Sequence, residues 1–562
     1  MQLDVAYRRR SAIVSAPSGL AIALAPNLRR DKVSFSGALA DPLRFREAIG
    51  ALHDVVISDL RYKPKDDTAY QAYLKEQQSR EASLRATAYQ AKKAELEAQK
   101  QIPMPPGLEA DYRRLRQRYW NARQQYSDYI ARHDPQMWRL LMPCDPVITV
   151  APDVLLFECF SADESSYGCL SVGREAFRTE ENVSLGTTNV DYSWSLYEHF
   201  QQLRSYRQTR FEIDPAGFEV RAQDAPTYRE EKIDLPMGWL RGFMQLQAAM
   251  SLPMRKVTLS RESAYGVLAW LKRHKARKSP RALRFELSPG QPISLVLEPW
   301  EQRLILPASR YEGPRAETIR TWGRDRLRVL GRLLPLVDCV DVHLLGTGLP
   351  SFWIAKMGNM RLTLGLSGWT KNDWTGASAL DQLAPPADVD NALLEKIART
   401  FRATPLQSFE KIQQYTALPP ASVAAGLNRL ALLGQVIHDL PLGLFRWRQV
   451  MPGPLTPSQL GPENPETEAA RRMVERGEAV IVRDEATPTG LRLLAGRLPG
   501  HDVELLVNGD GQIMRGKCKC SHHYKGGLRM GPCRHLQALR NQALGAKGRA
   551  TSVDRWFSLY WK

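Results

Sequence analysis

The chain has 562 residues, of which 43% are hydrophobic and 25% charged, and its 78 Lys and Arg against 60 Asp and Glu give a formal net charge of +18. This balance excludes an intrinsically disordered chain, and no run of about 20 apolar residues is present to cross a bilayer as a helix. The basic excess favours anionic partners such as nucleic acid, an acidic protein face or a membrane surface, or it serves solubility alone.

At about 150 residues per domain, the length predicts three or four domains. Seven cysteines in the whole chain suit a reducing compartment. The opening Met1–Arg10 lacks the apolar core of a signal peptide, so a cytoplasmic location is expected. The fold class expected is α+β and multidomain.

Residues 1–145 read as a β-rich domain with an inserted helical hairpin at about 66–133. Strands are expected at Ser11–Val14, Gly19–Leu24, Lys32–Phe35 and Asp54–Ser58, with a helix over Asp41–Ile49. Asp41 is placed to cap that helix, and Pro42 takes its first position. Asp67–Gln101 is rich in Ala, Glu, Lys and Gln and lacks Pro and Gly. Pro103–Gly107 breaks it, and helical composition resumes over Leu108–His133. The two segments predict long antiparallel helices forming a projecting arm, the second packing through Tyr112, Leu115, Tyr119, Ala122, Tyr126 and Tyr129. Arg113, Arg116, Trp120 and Arg123 line another face. It reads as a solvated surface, a contact for phosphates and bases, or a protein dock.

Residues 146–385 read as a mixed α/β region. Strands are expected at Pro146–Val150, Val154–Phe160, Gly168–Val172, Leu283–Leu287, Ile293–Leu297 and Leu304–Leu306. Helices are expected at Leu196–Leu203, Met237–Ala249, Ser260–Lys278 and Glu317–Leu334, and a hairpin over Phe211–Val220. The cations of Lys272–Lys278 oppose the negative end of a helix dipole, or form a nucleic-acid patch. Gly346-Thr-Gly348 lacks the Gly-Lys-Ser/Thr ending of a phosphate loop and reads as a tight strand connection.

Residues 386–452 have the pattern of a winged helix: three helices over Leu393–Phe401, Ser408–Tyr415 and Ala421–Leu433, then two short strands ending in Phe445–Trp447. Such modules place the third helix in the major groove. Its outward positions are expected to be Ser422, Ala425, Asn428 and Arg429. With Arg446 and Arg448 on the wing, these are the candidate DNA contacts; protein docking or a structural role is the alternative.

Residues 453–468 are polar and Pro-bearing and read as a linker. Residues 469–546 form the C-terminal module, with strands expected at Glu478–Arg483, Gly490–Leu494, Asp502–Val507 and Gln512–Met514. Next comes Cys518-Lys-Cys520, a polar Gly-bearing loop, and Cys533-Arg-His535. Three thiols and an imidazole can close a tetrahedral zinc site with no position left for water, which is the structural and not the catalytic arrangement. Cys518, Cys520, Cys533 and His535 are the candidate ligands for one Zn2+, with His522 and His523 as possible competitors. Lys517, Lys519, Lys525, Arg529 and Arg534, with Arg515 and Arg540 nearby, make the densest basic patch and a candidate surface for nucleic acid or another anion. Residues 547–562 are an aromatic tail, Arg555–Trp561, suited to docking on the body or on a partner.

The C-x-C…C-x-H pattern behind a predicted β-meander resembles the SWIM zinc finger. Leu345–Trp353 and Leu364–Trp374 extend the likeness to bacterial SWIM zinc finger family proteins over most of the chain, although this 345–374 segment has no assigned chemistry. The resemblance implies a zinc module ending in a helix, and partners of the kind encoded beside such proteins: a MoxR-type AAA+ ATPase and a von Willebrand factor A-domain protein. No P-loop, nucleophile elbow, His-Glu-x-x-His or Rossmann glycine pattern is present. The expected function is therefore a nonenzymatic adaptor that binds protein or nucleic acid. The alternative is a direct DNA-binding factor using the finger and the winged helix.

Overall fold

The computed structural model describes residues 12–58, 107–133, 146–213, 237–275, 282–368, 389–450 and 465–545, with short breaks inside these ranges. The chain divides into two units, one made of Met1–Asp59 with Pro143–Lys562 and the other of Leu60–Met142.

In the first unit, helix α1 (Pro42–Val56) begins where the sequence places it. Asp41 accepts a hydrogen bond from the Arg44 backbone N–H at 2.9 Å, and Pro42 opens the first turn. The helix continues through Asp54–Val56, where a strand was expected over Asp54–Ser58. The β-branched pair Val55–Val56 favours a strand locally, but Leu52 and Val55 also extend the helical stripe of Phe45, Ala48 and Ile49. All of these side chains are buried. The stripe packs so closely on the sheet that a Cβ at Gly168 would lie 2.8 Å from Leu52 Cδ1. Tertiary packing overrides the local preference.

Two sheets meet around this helix. The first has five strands in the order Ala12–Ala16, Gly19–Leu24, Thr209–Ile213, Ser34–Leu39 and Phe177–Ser184. The second has eight antiparallel strands: Arg255–Ser260, Cys339–Leu344, Ser351–Met357, Met360–Leu366, Ser166–Gly173, Val154–Phe160, Val147–Val150 and Gly186–Asn189. Strands from both sides of residue 145 thus share one sheet and one core. Phe45, Phe157 and Phe211 bind the layers with edge-to-face contacts 5.7–6.0 Å apart.

Helix α2 (Leu108–His133) belongs to the second unit and matches the expected second arm helix. Tyr112, Leu115, Tyr119 and Tyr129, expected to pack, are each more than half exposed. The expected partner helix over Asp67–Gln101 lies outside the described residues.

Helices α3 (Met237–Met250) and α4 (Arg261–Arg273) follow, with Ser260 capping α4. A four-stranded sheet then runs in the order Gln302–Arg310, Pro292–Leu297, Leu283–Leu287, Glu317–Thr321. The helix expected over Glu317–Leu334 is therefore corrected. Its first part is a strand paired with Leu283–Leu287, and its second is a 3-10 segment, Arg324–Arg332. Alternation of Ile319 and Thr321 inward with Thr318 and Arg320 outward favours the strand. Gly323, at φ 82°, separates the two pieces. Gly346 lies in the tight connection between antiparallel strands Cys339–Leu344 and Ser351–Met357, as expected.

Three further helices, α5 (Asn391–Thr400), α6 (Phe409–Thr416) and α7 (Pro420–Leu432), surround a core of their own built from Ile397, Phe409, Ile412, Val423, Leu427 and Phe445. They are joined to a small sheet ordered Leu406–Gln407, Leu444–Trp447, Val436–Asp439. Finally, α8 (Pro465–Glu475) leads into a meander of Val480–Ala486, Arg492–Leu498, His501–Val507 and Ile513–Lys517. The short α9 (Ser521–Gly526) and α10 (Arg534–Gly545) complete it. The linker expected over 453–468 already contains the first turn of α8, where Pro465 and Glu466 are ordinary helix-start residues. Among the described residues, no helix is long and apolar enough to cross a membrane.

Candidate metal centre

The meander delivers its last strand, Ile513–Lys517, directly into Cys518 and Cys520. Cys520 is the N-cap of α9, its Sγ accepting the His523 backbone N–H at 3.4 Å. Cys533 and His535 flank the first residue of α10. The four ligand atoms lie within 4.8 Å of one another, and all four residues are buried. Cys518 Sγ is 3.7 Å from His535 Nδ1. Zn–S bonds of about 2.3 Å would place sulfur atoms of a tetrahedron about 3.8 Å apart, so the cluster has the dimensions of a zinc site.

The chemistry also fits a metal. Burial pushes the Cys518 thiol up, and burial with the neighbouring cysteines pushes Cys533 up strongly. A cation is what holds such sulfurs as thiolates. Burial, then His501 and Arg534, lowers His535 to about 4, leaving the imidazole neutral and able to ligate. His522 and His523 are not part of the cluster.

The scaffold is tight. Glu466 on α8 accepts the Arg534 backbone N–H at 2.8 Å and its guanidinium at 2.5 and 3.1 Å, tying the first turn of the ligand-bearing helix to α8. Burial raises the Glu466 carboxyl, but Arg534 outweighs it and the net shift is downward. Leu536 and Leu539 of α10 rest on glycines of the sheet. A Cβ at Gly516 would stand 2.7 Å from Leu536 Cδ1. One at Gly496 would stand 2.3 Å from Leu539 Cδ1 and 2.7 Å from the Val480 carbonyl oxygen. Gly496→Val is therefore expected to lift α10 from the meander, costing about 1–3 kcal/mol. Zinc affinity should fall at least tenfold in a chelator competition, and unchanged affinity would reject this account of how the helix is seated.

Part of the expected basic patch is engaged within the chain. Arg534 is held by Glu466, Lys517 lies 3.8 Å from Glu504, and Arg540 is buried, its guanidinium lowered to about 10 by burial. On the same meander, Arg483 pairs with Glu485 at 2.8 Å and Arg492 with Asp484 at 2.5 Å. Arg515 and Lys519 are exposed. Lys525 falls in α9 and Arg529 in the 3-10 turn Gly527–Met530, with side chains outside the described residues.

The wing residues are corrected more sharply. Arg446 and Arg448 are buried, with 1% and 2% of their surface exposed. Arg446 donates to both oxygens of Asp153 at 2.6 and 2.8 Å and to Asp439 at 2.8 Å. Arg448 donates to Glu158 at 2.5 Å, and Tyr167 donates to the same oxygen at 2.6 Å. Two of the positions expected to face outward on the third helix, Ala425 and Asn428, are buried, and Arg429 is half-buried. Asn428 donates to the Ala248 carbonyl at 3.0 Å and to Ser251 at 2.9 Å, so this face lies against α3. An isolated-module reading of the sequence could not foresee that a sheet some 290 positions earlier in the chain supplies the carboxylates.

Comparison with known proteins adds little. No protein-family profile matches the chain, and no curated protein matches it. Among solved structures, Entamoeba histolytica Proliferating Cellular Nuclear Antigen aligns with 40% of this chain and 89% of its own, at 12% identity and a TM-score of 0.28. A. fulgidus PCNA, in a structure with the C-terminal region of FEN-1, aligns with 41% of this chain and 91% of its own, at 10% identity and a TM-score of 0.27. Scores this low carry no functional argument.

Proposed function

We propose that the chain is a nonenzymatic adaptor whose C-terminal module, of the SWIM kind, is shaped by one structural zinc and docks on a protein partner. The observation that carries this reading is the closed set of three buried thiols and one buried imidazole at tetrahedral spacing. Such a set leaves no vacant position at which a metal could activate water. The meander ahead of the ligands and the helix after them support the SWIM assignment. The order helix, strand, helix, helix, strand, strand over 391–447 supports a winged-helix module.

Protein is preferred over DNA as the partner because, in the expected patch, Arg534 and Lys517 already lie against carboxylates and Arg540 is buried. A MoxR-type ATPase and a von Willebrand factor A-domain protein, in the cytoplasm, are the partners the family resemblance suggests. Titration of the purified full-length chain with each of them, at low and high salt, tests this. Saturable binding that survives a rise from about 50 to 200 mM salt is expected, whereas duplex DNA should bind weakly. Tight duplex binding that collapses over the same salt range, with no ATPase or A-domain binding, would favour the DNA-binding factor instead.

A further inference from the structure

The three-helix module of 391–450 has its own apolar core, and part of its attachment to the body is polar. Ile437, Leu440 and Val450 enter the core of the body. Helix α7 and the strand Val436–Asp439 also pack on α3, and Arg448 lies over the Phe243 ring, 5.8 Å from its centroid. The polar ties include Arg446 to Asp153, Arg448 to Glu158, Asn428 to the Ala248 carbonyl, and His438 Nδ1 to the Met250 carbonyl oxygen at 2.7 Å. The Arg448–Glu158 pair is buried on both sides and adds less stability than its short distance suggests, because both charges give up their hydration, whereas Asp153 keeps 36% of its side chain exposed. A folded unit with its own core, attached in part through ion pairs, is built like a domain that can move against its neighbour.

Three of the groups used in the attachment, Asn428 on the third helix and Arg446 and Arg448 on the wing, are of types that contact phosphates and base edges when a winged helix meets DNA. Here carboxylates occupy the two wing guanidinium groups. Asp153 takes Arg446 in the two-pronged geometry that a phosphate would adopt. Burial alone would raise the Asp153 carboxyl, but Arg446 holds it below its ordinary value.

We propose that Asp153 and Glu158 act as an internal phosphate mimic that latches the helix–wing surface closed, and that releasing this latch exposes a duplex-DNA-binding face. The inference is independent of the zinc module. It predicts weak duplex binding by the closed chain.

The test uses the full-length, zinc-loaded chain with Asp153→Asn and Glu158→Gln, which remove the mimic and keep every arginine. Amide exchange in α7 and the strand Val436–Asp439 should accelerate at least about tenfold, while the strands Cys339–Leu344 and Ser351–Met357 keep their protection. A labelled random-sequence duplex of about 20 base pairs should then bind at least about tenfold more tightly than to the wild type, with a steeper salt dependence. Adding Arg446→Gln and Arg448→Gln should abolish that gain. If the double variant does not fold, Asp153→Asn alone should show the same changes in smaller measure. Unaltered exchange in α7, or exchange that rises equally throughout the body, would overturn the latch. An opened module that gains no DNA affinity would overturn the mimicry.

Discussion

Cys533→Ser is expected to reduce bound zinc from about one per chain to a small fraction and to unfold the module from Pro465 to Gly545. Cys533 is fully buried at the start of α10 and next to the other three ligands, so its loss opens the tetrahedron from inside. The module's apolar core, chiefly Leu494, Leu505, Leu536 and Leu539, is small, and the three ligand cysteines themselves belong to it. Structural zinc contributes about 10–16 kcal/mol in finger peptides, more than a core of this size supplies. Chelation of the wild-type chain should have the same effect, reversibly on adding zinc. His522→Ala should leave the metal content unchanged, because His522 stands outside the cluster. Elemental analysis together with amide exchange over 465–545 checks all three results. Retention of zinc by Cys533→Ser would show that the ligand set is wrong. Loss of protection in the eight-stranded sheet as well would show that the metal supports more than its own module.

The ligand set was legible because zinc chemistry is local. Two short-range pairs of candidate ligands fall within 17 positions of chain, and the residue types leave few other uses. The meander and α1's cap were legible for the same reason, since each rests on alternation or on a single side chain near its own backbone. Glu466 was not. Its sequence neighbours suggest only a linker, and its purpose becomes visible when α8 is laid beside α10. The arginines of the wing show the limit more clearly. In sequence, Arg446 and Arg448 are cations at the end of a winged-helix pattern, for which solvent or phosphate is the default partner. Their carboxylates lie at Asp153 and Glu158, and nothing in either segment marks the pairing. The same holds for Asp54–Val56, where a β-branched pair was outweighed by the fit of Leu52 and Val55 over Gly168. Contacts between distant segments decided each of these cases.

The stability of the body is expected to fall as the pH is lowered from about 6.5 towards 4, through histidines that the fold keeps neutral. His53 on α1 is 1% exposed and lies flat on the Tyr197 ring, with centroids 3.6 Å apart and planes 11° from parallel. Burial, aided by the positive charge of Arg332, lowers its pKa from 6.5 to about 4. His343, in the strand Cys339–Leu344, is lowered to about 4 chiefly by burial and next by His438. Above pH 6.5 both imidazoles are neutral, folded or unfolded, and the contribution is fully present. Between the two values the unfolded chain takes up protons that the folded chain refuses, so stability is lost as the pH falls from about 6.5, and the loss is complete near pH 4. Each histidine accounts for on the order of 1–3 kcal/mol over this window. Below it, Asp341 adds to the loss. Burial raises its carboxyl, but Lys356, Thr258 and Lys256 hold it lower than usual, so acid must break those contacts to protonate it. Urea midpoints read from amide exchange in the eight-stranded sheet, at about pH 7 and pH 5, separate this effect from any release of zinc. His53→Phe keeps a flat ring against Tyr197 and removes the titrating group, so its stability should change less between the two pH values than the wild type's. An equal pH dependence in the variant and the wild type would remove His53 from the explanation.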